Sequence, residues 1–162
     1  MKKINILKRL HHRSPYLLVD EVLSHSKLKI HVQKTPLAHE GYLQGHFPGA
    51  PVVPGAMMQE MTTQAAGLLL AEYYSPVPDY DSNITKGHAL GVLRSIHKAK
   101  YKMFARPNDK LDIYVELIEF IDQSYRFKAS IENAGKKIMQ NEFTLVNISE
   151  DKLKGIMDAP KS

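Results

Sequence analysis

One short segment carries the residue types that proton chemistry needs. Residues 45–60 read GHFPGAPVVPGAMMQE. His46 lies between Gly45 and Phe47, at the mouth of a loop whose path is restricted by Pro48, Pro51 and Pro54. Gly55 falls where a helix begins, and its missing side chain lets a ligand approach the backbone. The unpaired N–H groups and partial positive charge of a helix start suit a developing oxyanion. Glu60 lies about one and a half turns further on. A carboxyl buried there is costly unless paired or protonated, and burial raises its pKa. An imidazole, a protonated carboxyl and an anion-stabilising helix start fit proton removal next to a carbonyl, with acid assistance to a leaving group. By residue type alone a structural role fits as well: a histidine packed on Phe47 and a glutamate facing solvent.

Composition narrows the setting. The 162 residues suit one domain spanning 1–162, with 43% hydrophobic and 24% charged residues in the soluble globular range. No apolar run approaches the length of a membrane span, and Ile4 to Leu7 is too short an apolar patch for a signal peptide. The chain has no cysteine, which excludes disulfides, thiolate metal sites and cysteine nucleophiles and agrees with a cytoplasmic address. The other histidines (11, 12, 25, 31, 39, 88 and 97) have no metalloprotease spacing, so neither a metal nor an organic cofactor is expected. The net charge of +5 is not gathered into a block and Trp is absent, which speaks against nucleic acid and leaves an acidic protein as the partner to consider.

The elements that must position these residues follow from pattern. Ile4 to Arg9 fits a short helix within an N-terminal segment 1–9. Tyr16 to Leu23 and Lys27 to Gln33 read as strands, the second through the alternation of Leu28, Ile30 and Val32. Residues 41–55 hold four glycines and three prolines and read as a shaped loop with no helix. Ala56 to Glu72 is the best helix, and its few polar positions predict an enclosed one. Tyr73 to Gly87 reads as a long surface loop, a lid or a tolerated insertion. His88 to Met103 contains a strand, straight or bent. Leu111, Ile113, Val115 and Leu117 alternate until Ile118 breaks the pattern, as a bulge would. Tyr125 to Ile131 alternates again, Asn133 to Gly135 turns, and Lys137 to Asn147 is the last strand, before a polar tail over 149–162. The fold class is α+β: an antiparallel sheet packed on one long helix, with a homodimer as a way to cover what one unit leaves open.

The string GHFPGAPVVPG, with a glutamate fourteen residues after its histidine, resembles the active-site segment of the FabZ-type (3R)-hydroxyacyl-acyl-carrier-protein dehydratases. HHRSPYLLVDEV, from His11 to Val22, is similar to that family's opening His-Arg-x-Pro-x-Leu-Leu-Val-Asp. Gln64 to Gly67 resembles its Ala-Gln-Ala-Ala-Gly run. Lys98 to Tyr101 and Arg106 to Leu111 resemble its Lys-Ala-Arg-Phe and Pro-Gly-Asp-x-Leu segments. The likeness runs from about residue 10 to 147. The chain departs from the family at Met61, Thr62 and Thr63, at Ala50, at Asn108 in place of glycine, and in the longer loop after the helix.

The resemblance implies a hotdog fold, a long helix wrapped by an antiparallel sheet. It implies dehydration of a (3R)-3-hydroxyacyl thioester on an acyl carrier protein to the trans-2-enoyl thioester, in fatty acid biosynthesis or a related pathway. His46 falls on the family's catalytic histidine and Glu60 on its catalytic acid, where isomerising relatives carry aspartate. Gly55 falls on the glycine whose N–H polarises the thioester carbonyl, and Val52 where a backbone carbonyl orients the histidine. The family takes its histidine and glutamate from opposite subunits of a homodimer, and hexamers of three dimers are common. Met57, Met58, Met61 and Leu68 are tunnel candidates, with core packing as their other role. Arg94, Lys98, Lys100, Lys102 and Arg106 are candidates for steering an acidic carrier, or else a solvated strand face. A dehydratase of polyketide or aryl polyene assembly, a non-catalytic carrier-binding hotdog subunit and a hotdog thioesterase remain as alternatives.

Overall fold

In a computed structural model, six antiparallel strands form one sheet around a nineteen-residue helix. The structure describes residues 3–85, 87–149, 151, 152, 154 and 155. The elements are α1 (Ile6–Arg9), β1 (Glu21–His25), β2 (Lys29–Lys34), α2 (Gly41–Gln44), α3 (Gly55–Tyr73), β3 (His88–Tyr101), β4 (Leu111–Ile121), β5 (Ser124–Asn133) and β6 (Lys136–Ser149). The strand order is β1-β2-β4-β5-β6-β3, so β3 returns to the far edge beside the last strand.

Helix α3 is enclosed as its composition requires. Every residue from Met58 to Ala71 is buried except Glu60. The inward residues of the strands close over it: Ile30 and Val32 from β2, Leu111, Ile113, Val115 and Leu117 from β4, Tyr125, Phe127 and Ile131 from β5, Met139, Phe143 and Leu145 from β6. Burying side chains of this size contributes roughly 1.5–3 kcal/mol each against leaving them in water. The helix meets the sheet closely at two glycines. A Cβ on Gly91 of β3 would lie 3.2 Å from the Gly67 Cα, and Gly91 has φ +74°, so both its space and its backbone exclude a side chain.

The bulge expected after Leu117 is present: the β4–β5 register shifts between Leu117 and Glu119. Strand β3 carries three such shifts against β6 and is bent accordingly. The β5–β6 hairpin turns on Ala134 and Gly135, both at positive φ, the backbone of a tight hairpin whose twist matches its strands. The outer face carries a charge ladder. Lys29, Glu116, Lys128, Glu142 and Lys98 face one another in register across β2, β4, β5, β6 and β3.

Three expectations need correction. The glycine- and proline-rich stretch holds one helical turn, α2, anchored by the buried Leu43. The first strand begins at Glu21, because Tyr16 to Asp20 makes no ladder. The loop after α3 is not all surface. Tyr80 is buried, its carbonyl accepts from the Arg9 guanidinium, its hydroxyl meets His11, and Ser82 N–H donates to Lys8 O at 2.7 Å. The loop thereby ties the N-terminal segment to the end of α3, where Arg9 also pairs with Glu72 at 2.7 Å. The polar tail lies mostly outside the described residues.

Candidate active site

The loop that carries His46 is held from behind by a network on Lys34. Lys34 is buried and bonds Glu40 at 2.6 Å and Asp20 at 3.2 Å. The second Glu40 oxygen accepts from the Leu37 N–H at 2.9 Å and the Tyr42 hydroxyl at 2.6 Å. Burial alone raises the Glu40 pKa, but the hydrogen bonds from Lys34, Tyr42 and Leu37 outweigh it and hold the carboxyl below its ordinary value. A depressed carboxylate stabilises the fold fully above its unfolded value, ordinarily 4.5, and loses that contribution as pH falls through the lowered value. Lys34→Met is therefore expected to lower the melting temperature at pH 7, with a gap to wild type that narrows as the buffer is acidified. A gap unchanged down to pH 3 would contradict this.

His46 is half-buried, and its Nδ1 lies 3.0 Å from the Val52 carbonyl oxygen. A carbonyl only accepts, so Nδ1 carries the hydrogen and Nε2 presents a lone pair. Val52 N–H donates back to the His46 carbonyl at 2.9 Å, which closes the loop on itself. Phe47 stacks on the imidazole at 4.1 Å and is itself exposed. These contacts set both the ring's place and its tautomer, with the lone pair on Nε2.

Helix α3 starts immediately after this loop. No side chain caps it, and the N–H groups of Met57 and Met58 both go to the Pro54 carbonyl. The open donors at its start are those of Gly55 and Ala56 among the described residues. A Cβ on Gly55 would lie 3.0 Å from the Tyr101 ring, so this position admits only glycine without displacing Tyr101.

Glu60 projects from α3 into a cavity of about 450 Å³. Its side chain is 16% exposed, and burial raises its pKa against the smaller opposing effect of a hydrogen bond from Gln64. Gln64 is oriented without ambiguity. The Leu18 N–H, which can only donate, meets Gln64 Oε1 at 2.8 Å. Gln64 Nε2 then donates to the Tyr16 carbonyl at 2.8 Å and to Glu60 Oε1 at 3.0 Å. Glu60 Oε1 is thus fixed as an acceptor, and the acidic proton belongs on Oε2. One backbone carbonyl sets the tautomer of His46, burial favours the protonated form of Glu60, and the Gln64 amide sets which Glu60 oxygen a proton would occupy.

The other sequence candidates sit as follows. Val52 is the partner of His46. Met58, Met61 and Leu68 lie in the core, at 3%, 0% and 0% exposure, and Met57 packs on its rim. The helix positions that line the Glu60 cavity are instead Thr63, Gln64 and Gly67, the i+3, i+4 and i+7 stripe below Glu60. Arg94, Lys98 and Lys100 are exposed on β3, and Lys102 and Arg106 are exposed just beyond it. His46 does not line the Glu60 cavity in one chain. A larger groove of about 560 Å³ crosses the outer sheet face and touches neither residue. No group of residues that could hold a metal ion occurs among the described residues. Sequence reasoning assigned no role to His12, whose Nε2 lies 3.5 Å from Glu60 Oε1. Its only signal was its place in the opening motif.

Comparison with known proteins identifies the family and the fold. The ApeI-like family, described as ApeI dehydratase, matches residues 23–142. A 3-hydroxyacyl-acyl-carrier-protein dehydratase FabZ of Albidiferax ferrireducens is 40% identical over 125 residues, covering 76% of this chain and 79% of the relative. The FabZ of Anaeromyxobacter sp. is 32% identical over 139 residues, covering 85% and 84%. Among solved structures, the dehydratase heterocomplex ApeI:P from Xenorhabdus doucetiae aligns with TM-score 0.78 at 17% identity, covering 98% of this chain and all of that one, a likeness of fold. The helix wrapped by an antiparallel sheet is the hotdog fold, and the chain belongs to the family of the FabZ and ApeI-like 3-hydroxyacyl-acyl-carrier-protein dehydratases.

Proposed function

We propose that this protein dehydrates a (3R)-3-hydroxyacyl thioester carried on an acyl carrier protein, with His46 as base and Glu60 as acid. The observation that carries the reading is the pair of set protonation sites: Val52 engages Nδ1 of His46 and Gln64 engages Oε1 of Glu60, and among the described residues Nε2 and Oε2 have no hydrogen bond. His46 Nε2 takes the proton from C2. The C2–H electrons form the double bond to C3, the C3–O bond breaks, and the Glu60 proton leaves with the hydroxyl as water. The Gly55 N–H and the start of α3 hold the negative charge that gathers on the thioester oxygen. Transfer of the proton from His46 back to Glu60 through solvent resets the site. The step needs no cofactor.

The working unit is two hotdog domains. His46 is not among the described residues that line the cavity at Glu60 in one chain, and β3 is a sheet edge with Leu93, Ile96 and Tyr101 exposed. Pairing two such edges supplies the histidine from one unit and the glutamate from the other. Mixing inactive His46→Ala and Glu60→Gln proteins after co-refolding is expected to restore about a quarter of wild-type turnover, since half the dimers are hybrids with one intact site. No recovery in hybrids shown to form would place both groups in one subunit.

The basic run from Arg94 to Arg106 supports an acidic carrier docking beside this edge, in the cytoplasm. A second reading has its own observation. No acidic residue occurs between Asp81 and Asp109, so the charge ladder ends at β3 on Lys98. A partner hotdog subunit with an acidic edge would continue that ladder better than a second copy. The same hybrid experiment separates the two, because recovery requires a second copy.

A further inference from the structure

The cavity at Glu60 holds a titratable group that the proposed reaction leaves unused. His12 comes from the segment before β1, and its Nε2 approaches the Glu60 oxygen that Gln64 already holds. Its Nδ1 is buried and has no hydrogen-bond partner among the described residues. That asymmetry constrains the ring. With the hydrogen on Nε2, that hydrogen sits on the nitrogen 3.5 Å from Glu60 Oε1, an approach longer than a formed hydrogen bond, and Nδ1 leaves only a lone pair unsatisfied. Adding a second hydrogen at Nδ1 would bury an N–H with nothing to accept it, the costlier orphan.

The surroundings work in the same direction. From its own segment His12 faces His11, Arg13 and Tyr16, and Arg9 lines the same cavity. From α3 it faces Glu60, and His88 of β3 lines the far wall. Burial first, then the nearby His11 and Arg13, push the His12 pKa down. Glu60 is the one carboxylate among these groups, and the cations around it are otherwise engaged. Arg9 is bonded to Glu72 and to the Tyr80 carbonyl, and Arg13 to backbone carbonyls and Asn83.

Resting on the reading of Glu60 as the acid, we propose that His12 is a positioning residue that acts only as a neutral imidazole. It donates from Nε2 to the Glu60 carboxylate formed when the proton leaves, and it keeps a fixed positive charge away from the acid beforehand. A cation at this distance would hold Glu60 ionised, and an ionised Glu60 has no proton for the departing hydroxyl. A purely apolar ring would leave the acid protonated but would not support the carboxylate after transfer.

The test is the pH dependence of kcat/KM for His12→Gln, His12→Lys and His12→Phe, with Glu60→Gln and thermal melts measured alongside. The alkaline limb reports the ionisation of the acid. His12→Lys is expected to move that limb down by about one pH unit or more. His12→Gln, which keeps a neutral donor in the place of Nε2, is expected to keep the limb where the wild type has it. His12→Phe is expected to lower kcat about tenfold with little change in KM. Equal losses in all three variants with an unmoved limb would make His12 structural and overturn the proposal. So would a wild-type profile in His12→Lys while Glu60→Gln is inactive. Full turnover by Glu60→Gln would instead overturn the assignment of the acid itself.

Discussion

Glu60→Gln is expected to lose turnover by about a thousandfold while KM stays near the wild-type value. The substitution changes one atom's chemistry and little else. A glutamine at 60 still offers an acceptor to Gln64 Nε2, so the contact at 3.0 Å is kept. It also places a donor where Oε2 stood, but that donor holds its hydrogen and cannot release it to a departing hydroxyl. The stability change runs the other way. Burial raises the Glu60 pKa, so the fold binds that proton more tightly than the unfolded chain does. The stabilisation this gives is complete below the ordinary carboxylate value of 4.5 and is lost as pH rises through the raised value. Glu60→Gln removes this liability. Its melting temperature is expected to exceed the wild type's at pH 8, with the gap closing toward pH 4. A variant that is inactive and also less stable at pH 8 would show that Glu60 holds the structure rather than the proton.

His46→Asn is the second large effect, and it separates the base from the loop. The asparagine Nδ2 can take the place of Nδ1 and keep the bond to the Val52 carbonyl. The reciprocal backbone bond from Val52 N–H is untouched. What disappears is the lone pair of Nε2. Turnover is expected to fall by about a thousandfold or more with the loop and the melting temperature preserved. His46→Ala removes the tether as well and is expected to be as inactive. If His46→Asn kept a tenth or more of wild-type turnover, the proton at C2 would be going elsewhere.

Much of the fold is legible in the residues because each element agrees with its neighbours. Alternation in β4 and β5 gives their inward faces, and the break at Leu117 and Ile118 gives the bulge. The scarcity of polar residues from Ala56 to Glu72 gives an enclosed helix, and the structure adds one residue at each end. Short or irregular pieces are harder. One turn of helix at Gly41–Gln44 has no period to detect, and it exists because Leu43 is buried. Tyr80 looks like a loop tyrosine until Arg9 and His11 are brought to it from about seventy residues away.

The site divides in the same way. His46, Val52 and Gly55 lie within one decapeptide, so their relation is local and readable. Gln64 is on the same helix face as Glu60, one turn on, yet its orientation depends on Leu18 and Tyr16, 46 and 48 residues earlier. His12 reaches Glu60 only because Arg9, Ser82 and Tyr80 fold the N-terminal segment back over α3. Met58, Met61 and Leu68 have the composition of a tunnel lining and the burial of a core, and hydrophobicity alone does not distinguish these roles.

The most direct test supplies purified protein with a short (3R)-3-hydroxyacyl thioester on an acyl carrier protein and follows the acyl group by mass, beside His46→Ala. The account predicts loss of one water to the trans-2-enoyl thioester by the wild type, and none above background by the variant. Release of the free hydroxy acid, or equal dehydration by the two proteins, would contradict it.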